Sequence, residues 1–113
     1  MKYQTLIAAC VAAVTIAGLT PAQAQTPSIA TTWGNMNIPQ DRCLARSRII
    51  FEDLKYKRIE TIGVDTFADY ERFQVAIRCV SEKQIFYVFG GGPSDGDKQL
   101  IQIMDTVKAE FLK

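Results

Sequence analysis

The chain has 113 residues, 48% of them apolar and 22% charged, with three cysteines and no histidine. Its length suits one domain with a modest core. The missing histidine excludes Ser-His-Asp and Cys-His catalysis, His-ligated zinc and the commonest general base. The balance of 13 basic against 12 acidic side chains lacks the basic excess typical of nucleic-acid binders and membrane-surface proteins.

Met1–Ala24 reads as a secretory signal peptide: Lys2 in a short n-region, an apolar stretch from Leu6 to Leu19, a break at Pro21, and the small-residue site Ala22-Gln23-Ala24. A lipoprotein reading of Ile7-Ala8-Ala9-Cys10 fails, because it leaves about five apolar residues upstream where a peptidase substrate needs about 7–15. Cys10 is therefore expected to leave with the leader. Removal of residues 1–24 leaves 89 residues with 12 basic and 12 acidic side chains, a net charge of zero. No other apolar run approaches the roughly 18 residues that span a bilayer, so no membrane association is expected after cleavage. The expected location is the periplasm or the extracellular medium. There Cys43 and Cys79, 36 residues apart, are expected to pair.

Residues 25–37, rich in Thr, Pro, Ser and Gly and carrying Trp33, read as a flexible lead-in or an edge strand around Thr31–Met36. A single domain then occupies 38–113. Asn37-Ile38-Pro39-Gln40 reads as a helix start, with Asn37 capping and Pro39 in the first turn. The helix is predicted from Pro39 to Tyr56, with Cys43, Ser47, Ile50, Phe51 and Leu54 on one face. Arg58–Asp65 reads as a strand with a bulge at Gly63, and Phe67–Arg72 as a polar connection. Phe73–Val80 is the clearest strand, placing Phe73, Val75, Ile77 and Cys79 on one face. After a turn at Ser81–Lys83, Gln84–Phe89 is an unbroken apolar run that suits a central strand covered on both faces. Gly90–Gly96 reads as a glycine-rich connection. The last helix starts near Ser94 or Asp95, with Ser94 and Asp97 spaced as a capping box; Leu100, Ile103, Met104, Val107 and Phe111 form its buried stripe.

This order predicts an α+β fold: an antiparallel sheet of three to four strands with two helices packed on one face. The order is α-β-β-β-α, with room for a strand ahead of the first helix, and Cys43–Cys79 joins helix to sheet. The glycine loop meets neither nucleotide template, since Asp95 stands at the third glycine of G-x-G-x-x-G and Asp97 at the P-loop lysine. Asp95 and Asp97 also repel an anion at the helix start. The cysteine spacing is not C-x-x-C, and EF-hand spacing is missing. No cofactor, metal or catalytic residue is expected.

The functional expectation is a small exported non-catalytic protein-interaction module, binding another periplasmic or secreted protein. An inhibitor or immunity-type protein is one concrete form. Trp33, Arg42, Arg46 and Tyr70 are the candidate anchors, because aromatic and arginine side chains dominate desolvated interfaces. The alternative is a periplasmic small-ligand carrier using the sheet face away from the helices. An exposed aromatic–arginine patch would favour the first, and a large apolar pocket the second.

Overall fold

The computed structural model describes residues 26–113; the signal-peptide reading of residues 1–24, and Cys10 with it, lies outside the described residues. Strand β1 (Ser28–Asn35) is followed by helix α1 (Gln40–Asp53), strands β2 (Lys57–Ile62), β3 (Asp65–Tyr70), β4 (Phe73–Val80) and β5 (Ile85–Gly92), and helix α2 (Asp97–Phe111). The strands form one sheet in the order β1-β5-β4-β3-β2, every neighbouring pair antiparallel. Strands β2 to β5 meander back towards β1. Helix α1 packs on β2, β3 and β4, and α2 on β1 and β5. The fold is the expected α+β sheet under two helices. It has five strands where three to four were expected, since β1 is a full edge strand and the predicted first strand and polar connection are a hairpin.

That hairpin turns on two residues. Ile62 pairs with Asp65, leaving Gly63-Val64 as the loop, and Gly63 has φ +63°. A two-residue hairpin loop needs positive φ at its first position, which glycine meets without a Cβ clash. Gly63 therefore makes the turn and is no bulge. The register shift in this pair falls between Lys57 and Glu60. Phe67 and Asp69, read as connection, lie on β3 opposite Ala76 and Gln74.

Helix α1 starts after Pro39, whose extended backbone occupies the cap position, with no side-chain cap. Asn37 does not cap. Gln40 instead reaches to the end of β4: its Nε2 donates to the Cys79 carbonyl at 2.8 Å, and its Oε1 accepts from the Ser81 amide at 3.1 Å. The helix ends three residues earlier than its periodicity suggests. The Lys55 amide donates to the Glu52 carbonyl and the Tyr56 amide to the Phe51 carbonyl, which is the paired bonding of a Schellman ending. Tyr56 then stacks on Phe51, with ring centroids 5.7 Å apart.

Lys55 holds the left-handed position of that motif at φ +66°, where a Cβ is unfavourable and glycine is usual. Lys55→Gly should raise unfolding stability by about 0.5–1 kcal/mol, the steric relief exceeding glycine's extra unfolded entropy. A urea melt checks this: the midpoint moves up, and a fall would contradict the role given to Lys55.

The glycine run belongs to the sheet. Gly90, Gly91 and Gly92 pair with Ala30, Ile29 and Ser28 of β1, and Gly90 and Gly91 also with Val75 and Gln74 of β4. Only Pro93–Gly96 connects β5 to α2. A Cβ on Gly90 would lie 2.6 Å from the Gln74 carbonyl oxygen, and one on Gly92 or Gly96 would run into the Phe73 ring. Gly92 and Gly96 thus make room for the buried Phe73 ring, and Gly90 for the β4 backbone and α2. No capping box forms: Gly96 is the cap residue, without a side-chain cap, and Asp97 turns its carboxylate to the Ser28 hydroxyl, which also lies 2.8 Å from the Pro93 carbonyl. This contact ties the start of β1 to the start of α2.

The core lies between the helices and one sheet face. Phe51, Phe73, Val75, Ile77, Phe86, Val88, Leu100, Met104, Val107 and Phe111 are fully buried or nearly so. Phe86 and Phe111 stack with centroids 4.0 Å apart. Cys43 of α1 and Cys79 of β4 form a disulfide with Cα atoms 6.0 Å apart, both residues buried.

Candidate functional site: the uncovered sheet face

With both helices on one side, the other face of the sheet is left open. Alternation along each strand decides what it displays. On β5, Phe86 and Val88 are buried under the helices, so Ile85, Tyr87 and Phe89 point away from them. On β1, a Cβ at Gly34 would strike Phe86 on the helix side, so Trp33 projects to the open side, as do Ile29 and Thr31. Residues directly opposite in an antiparallel pair share a face. The register therefore assembles two rows. Trp33 lies opposite Tyr87, Tyr87 opposite Arg78, and Arg78 opposite Asp65. Beside it, Thr31 lies opposite Phe89, Phe89 opposite Ala76, and Ala76 opposite Phe67.

The result is an aromatic band with one clamped arginine at its centre. Trp33 is 54% exposed, Tyr87 39% and Ile29 82%. Phe67 and Phe89 meet edge to face with centroids 6.3 Å apart. The Arg78 guanidinium makes a two-point contact with Asp65, Nε to Oδ1 at 2.7 Å and Nη2 to Oδ2 at 2.8 Å, and lies 5.8 Å from the Phe89 ring centroid. Hydrogen bonding to Asp65, then its charge, raises the Arg78 pKa further above its ordinary value. The pair fixes a planar, cationic, partly exposed group among aromatic rings. Further along, Arg58 pairs with Asp69 at 2.6 Å. The face is thus apolar and aromatic around Arg78, with Arg78–Asp65 and Arg58–Asp69 as its ion pairs and Glu60, opposite Phe67, as a further charge.

Its depressions are broad and shallow. One of about 430 Å³ is bordered by Thr31, Arg78, Tyr87 and Phe89 and opens widely to solvent. A narrower one of about 110 Å³ lies between Phe67, Gln74, Ala76, Phe89 and Gly91. A small-molecule site encloses most of its ligand within roughly 300–1,000 Å³, and neither depression combines that volume with enclosure. Nor does a third of about 630 Å³, bordered by Arg58, Glu60, Phe67, Asp69 and Gln74 and likewise open to solvent.

The four residues singled out from sequence do not converge. Trp33 lies in the band. Tyr70, on β3, is half-buried and stacks on Tyr56 with centroids 4.7 Å apart, which makes it core edge. Burial, reinforced by Tyr70, pushes the Tyr56 phenol up to about 12. Arg42 and Arg46 are exposed on α1, across the domain from the band. Arg46 has a structural position: its guanidinium lies 5.4 Å from the Phe111 ring centroid and donates to the Phe111 carbonyl at 3.4 Å, at the C-terminal end of α2, where a cation is favoured.

Sequence reasoning missed Phe67, Arg78, Tyr87 and Phe89 as a site. Phe67 was hidden in the supposed connection. Tyr87 and Phe89 sat in an apolar run taken as covered on both faces, although the two helices cover only one. The available signal was Tyr87 itself, an aromatic with a polar tip at an alternate position between Phe86 and Val88.

The acids of the Pro93–Gly96 turn are engaged locally, Asp95 with Arg72 at 3.2 Å and Asp97 with Ser28. Among the described residues, no group of three or more cysteine, aspartate or glutamate side chains is placed to hold a metal ion, and no helix is long and apolar enough to cross a membrane. The chain matches no protein-family model and none of the curated proteins.

Proposed function

We propose that this chain is a small exported, non-catalytic protein-interaction module whose partner docks on the uncovered sheet face. The observation that carries the reading is the row Trp33–Tyr87–Arg78–Asp65 with Phe89 and Phe67 alongside. Aromatic and arginine side chains give the largest binding energies once desolvated, and exposed apolar patches mark interaction surfaces. Arg78 is already held by Asp65, so docking immobilises little further side-chain freedom. The matching partner is a protein in the same compartment presenting an apolar surface with little net charge. An inhibitor or immunity-type protein fits that description by analogy of size and stapling. Location in the periplasm or beyond, after loss of residues 1–24, is supported by the buried disulfide, a bond that persists in oxidising compartments. The wide, open depressions favour a macromolecular partner over the carrier reading.

The test is affinity capture from a periplasmic extract of the source cells, run in parallel with the parent and single variants. Tyr87→Ala should weaken capture of the same partner by about 30-fold, the loss expected at an interface anchor, with little change in thermal stability. Arg42→Ala, on α1, should capture like the parent. Equal capture by Tyr87→Ala and parent, or loss confined to Arg42→Ala, would overturn the assignment. A co-purifying apolar small molecule displaced by Tyr87→Ala would establish the carrier instead.

A further inference from the structure

The two edges of the sheet are built differently. Edge strand β2 carries Lys57, Arg58 and Glu60, has a register shift between Lys57 and Glu60, and turns Arg58 to φ +52°. Charges and bulges of this kind keep an edge from pairing with another strand. Edge strand β1 has none of them. Its eight residues, Ser28-Ile29-Ala30-Thr31-Thr32-Trp33-Gly34-Asn35, contain no charge and no proline and keep unbroken register with β5 from Ser28 to Asn35. Among the described residues, no strand pairs with its outer side.

From this we infer that β1 is a self-association edge, which pairs antiparallel with the β1 of a second copy about a two-fold axis at Thr31. The sequence is self-complementary in that register. Thr31 meets its own counterpart, and Ile29 meets Trp33 of the second copy twice, on the open face. On the helix side Ala30 meets Thr32 and Ser28 meets Gly34, small residues that allow close approach. Cross-strand aromatic–aliphatic and Thr–Thr pairs are favourable, and without charge no like-charge repulsion opposes them. The register also keeps odd positions opposite odd positions, so both sheets continue into one with their helices on the same side. Ile29, 82% exposed in one copy, is covered. The two aromatic bands then join across the axis. A symmetric contact of this size belongs to the weak class of interfaces.

Sedimentation equilibrium tests this on the oxidised protein recovered after expression of the full chain, with no partner present, so its result is independent of the docking assignment. The parent is expected to dimerise with a dissociation constant of about 10–100 µM, in the range of weak interfaces. Thr31→Lys, which sets two like charges opposite each other at the axis, should weaken the dimer at least about tenfold. Ile62→Lys, on the opposite edge, should dimerise like the parent. If Thr31→Lys does not fold, Ile29→Glu, which replaces the apolar Ile29–Trp33 contact with a buried carboxylate against the indole, gives the same reading. A parent that stays monomeric up to about 1 mM would overturn the inference. A dimer unaffected by Thr31→Lys, or by Ile29→Glu in its place, would overturn it too.

Discussion

Replacing both bridge cysteines, C43A/C79A, should lower the unfolding free energy by about 3–4 kcal/mol in the chain-entropy account. The bridge joins residues 36 apart, and the segment between them includes most of α1, β2, β3 and nearly all of β4. Without it, the unfolded chain regains the freedom of that whole loop. The native side also loses packing, because Cys43 and Cys79 are buried, with Ser47 Oγ 3.7 Å from the Cys79 sulfur. A small domain has roughly 5 kcal/mol or little more in total, so the variant should be substantially unfolded at body temperature. Urea denaturation of oxidised parent and variant gives the number. A loss under about 1 kcal/mol would mean that the helix–sheet core holds the fold without the bridge.

Gly90→Ala should cost about 2–3 kcal/mol as an overpacked core position. The added Cβ would sit 2.6 Å from the Gln74 carbonyl oxygen, 3.0 Å from the Met104 methyl carbon and 3.4 Å from a Leu100 methyl. Met104 can swing aside, but the carbonyl is part of the β4 backbone and can move only with the ladder. Gly91→Ala is the natural comparison. Its Cβ points to the open face and comes only within 3.3 Å of the Ser28 carbonyl oxygen, so a much smaller loss is expected. Thermal melts of the pair decide it. Equal losses would contradict the packing role given to Gly90.

The helices and the bridge were legible because their signals are periodic and local. Leu100, Ile103, Met104, Val107 and Phe111 recur at helical spacing and are all buried, and Cys43 and Cys79 both fell on predicted inward faces. The β2–β3 hairpin was not legible. Its strands carry Lys57, Arg58, Glu60, Asp65 and Asp69, charges that sit comfortably on an edge and an open face but mask the alternation that marks a strand. The glycine run misled for a related reason: glycine usually marks a turn, whereas here Gly90 yields space to the Gln74 carbonyl and Gly92 to the Phe73 ring, both distant in sequence. The open face was the least visible part. Its members come from four strands, and only the register places Trp33, Tyr87, Arg78 and Phe67 side by side.

The claim that the open face is the docking surface is tested most directly by a chemical-shift map of the complex. The isotope-labelled protein would be titrated with the partner obtained by capture. The predicted footprint covers Trp33, Phe67, Arg78, Tyr87 and Phe89, including the Trp33 indole N–H, and leaves Arg42 and Arg46 on α1 unshifted. A footprint centred on Arg42 and Arg46, with the aromatic band unmoved, would contradict the account.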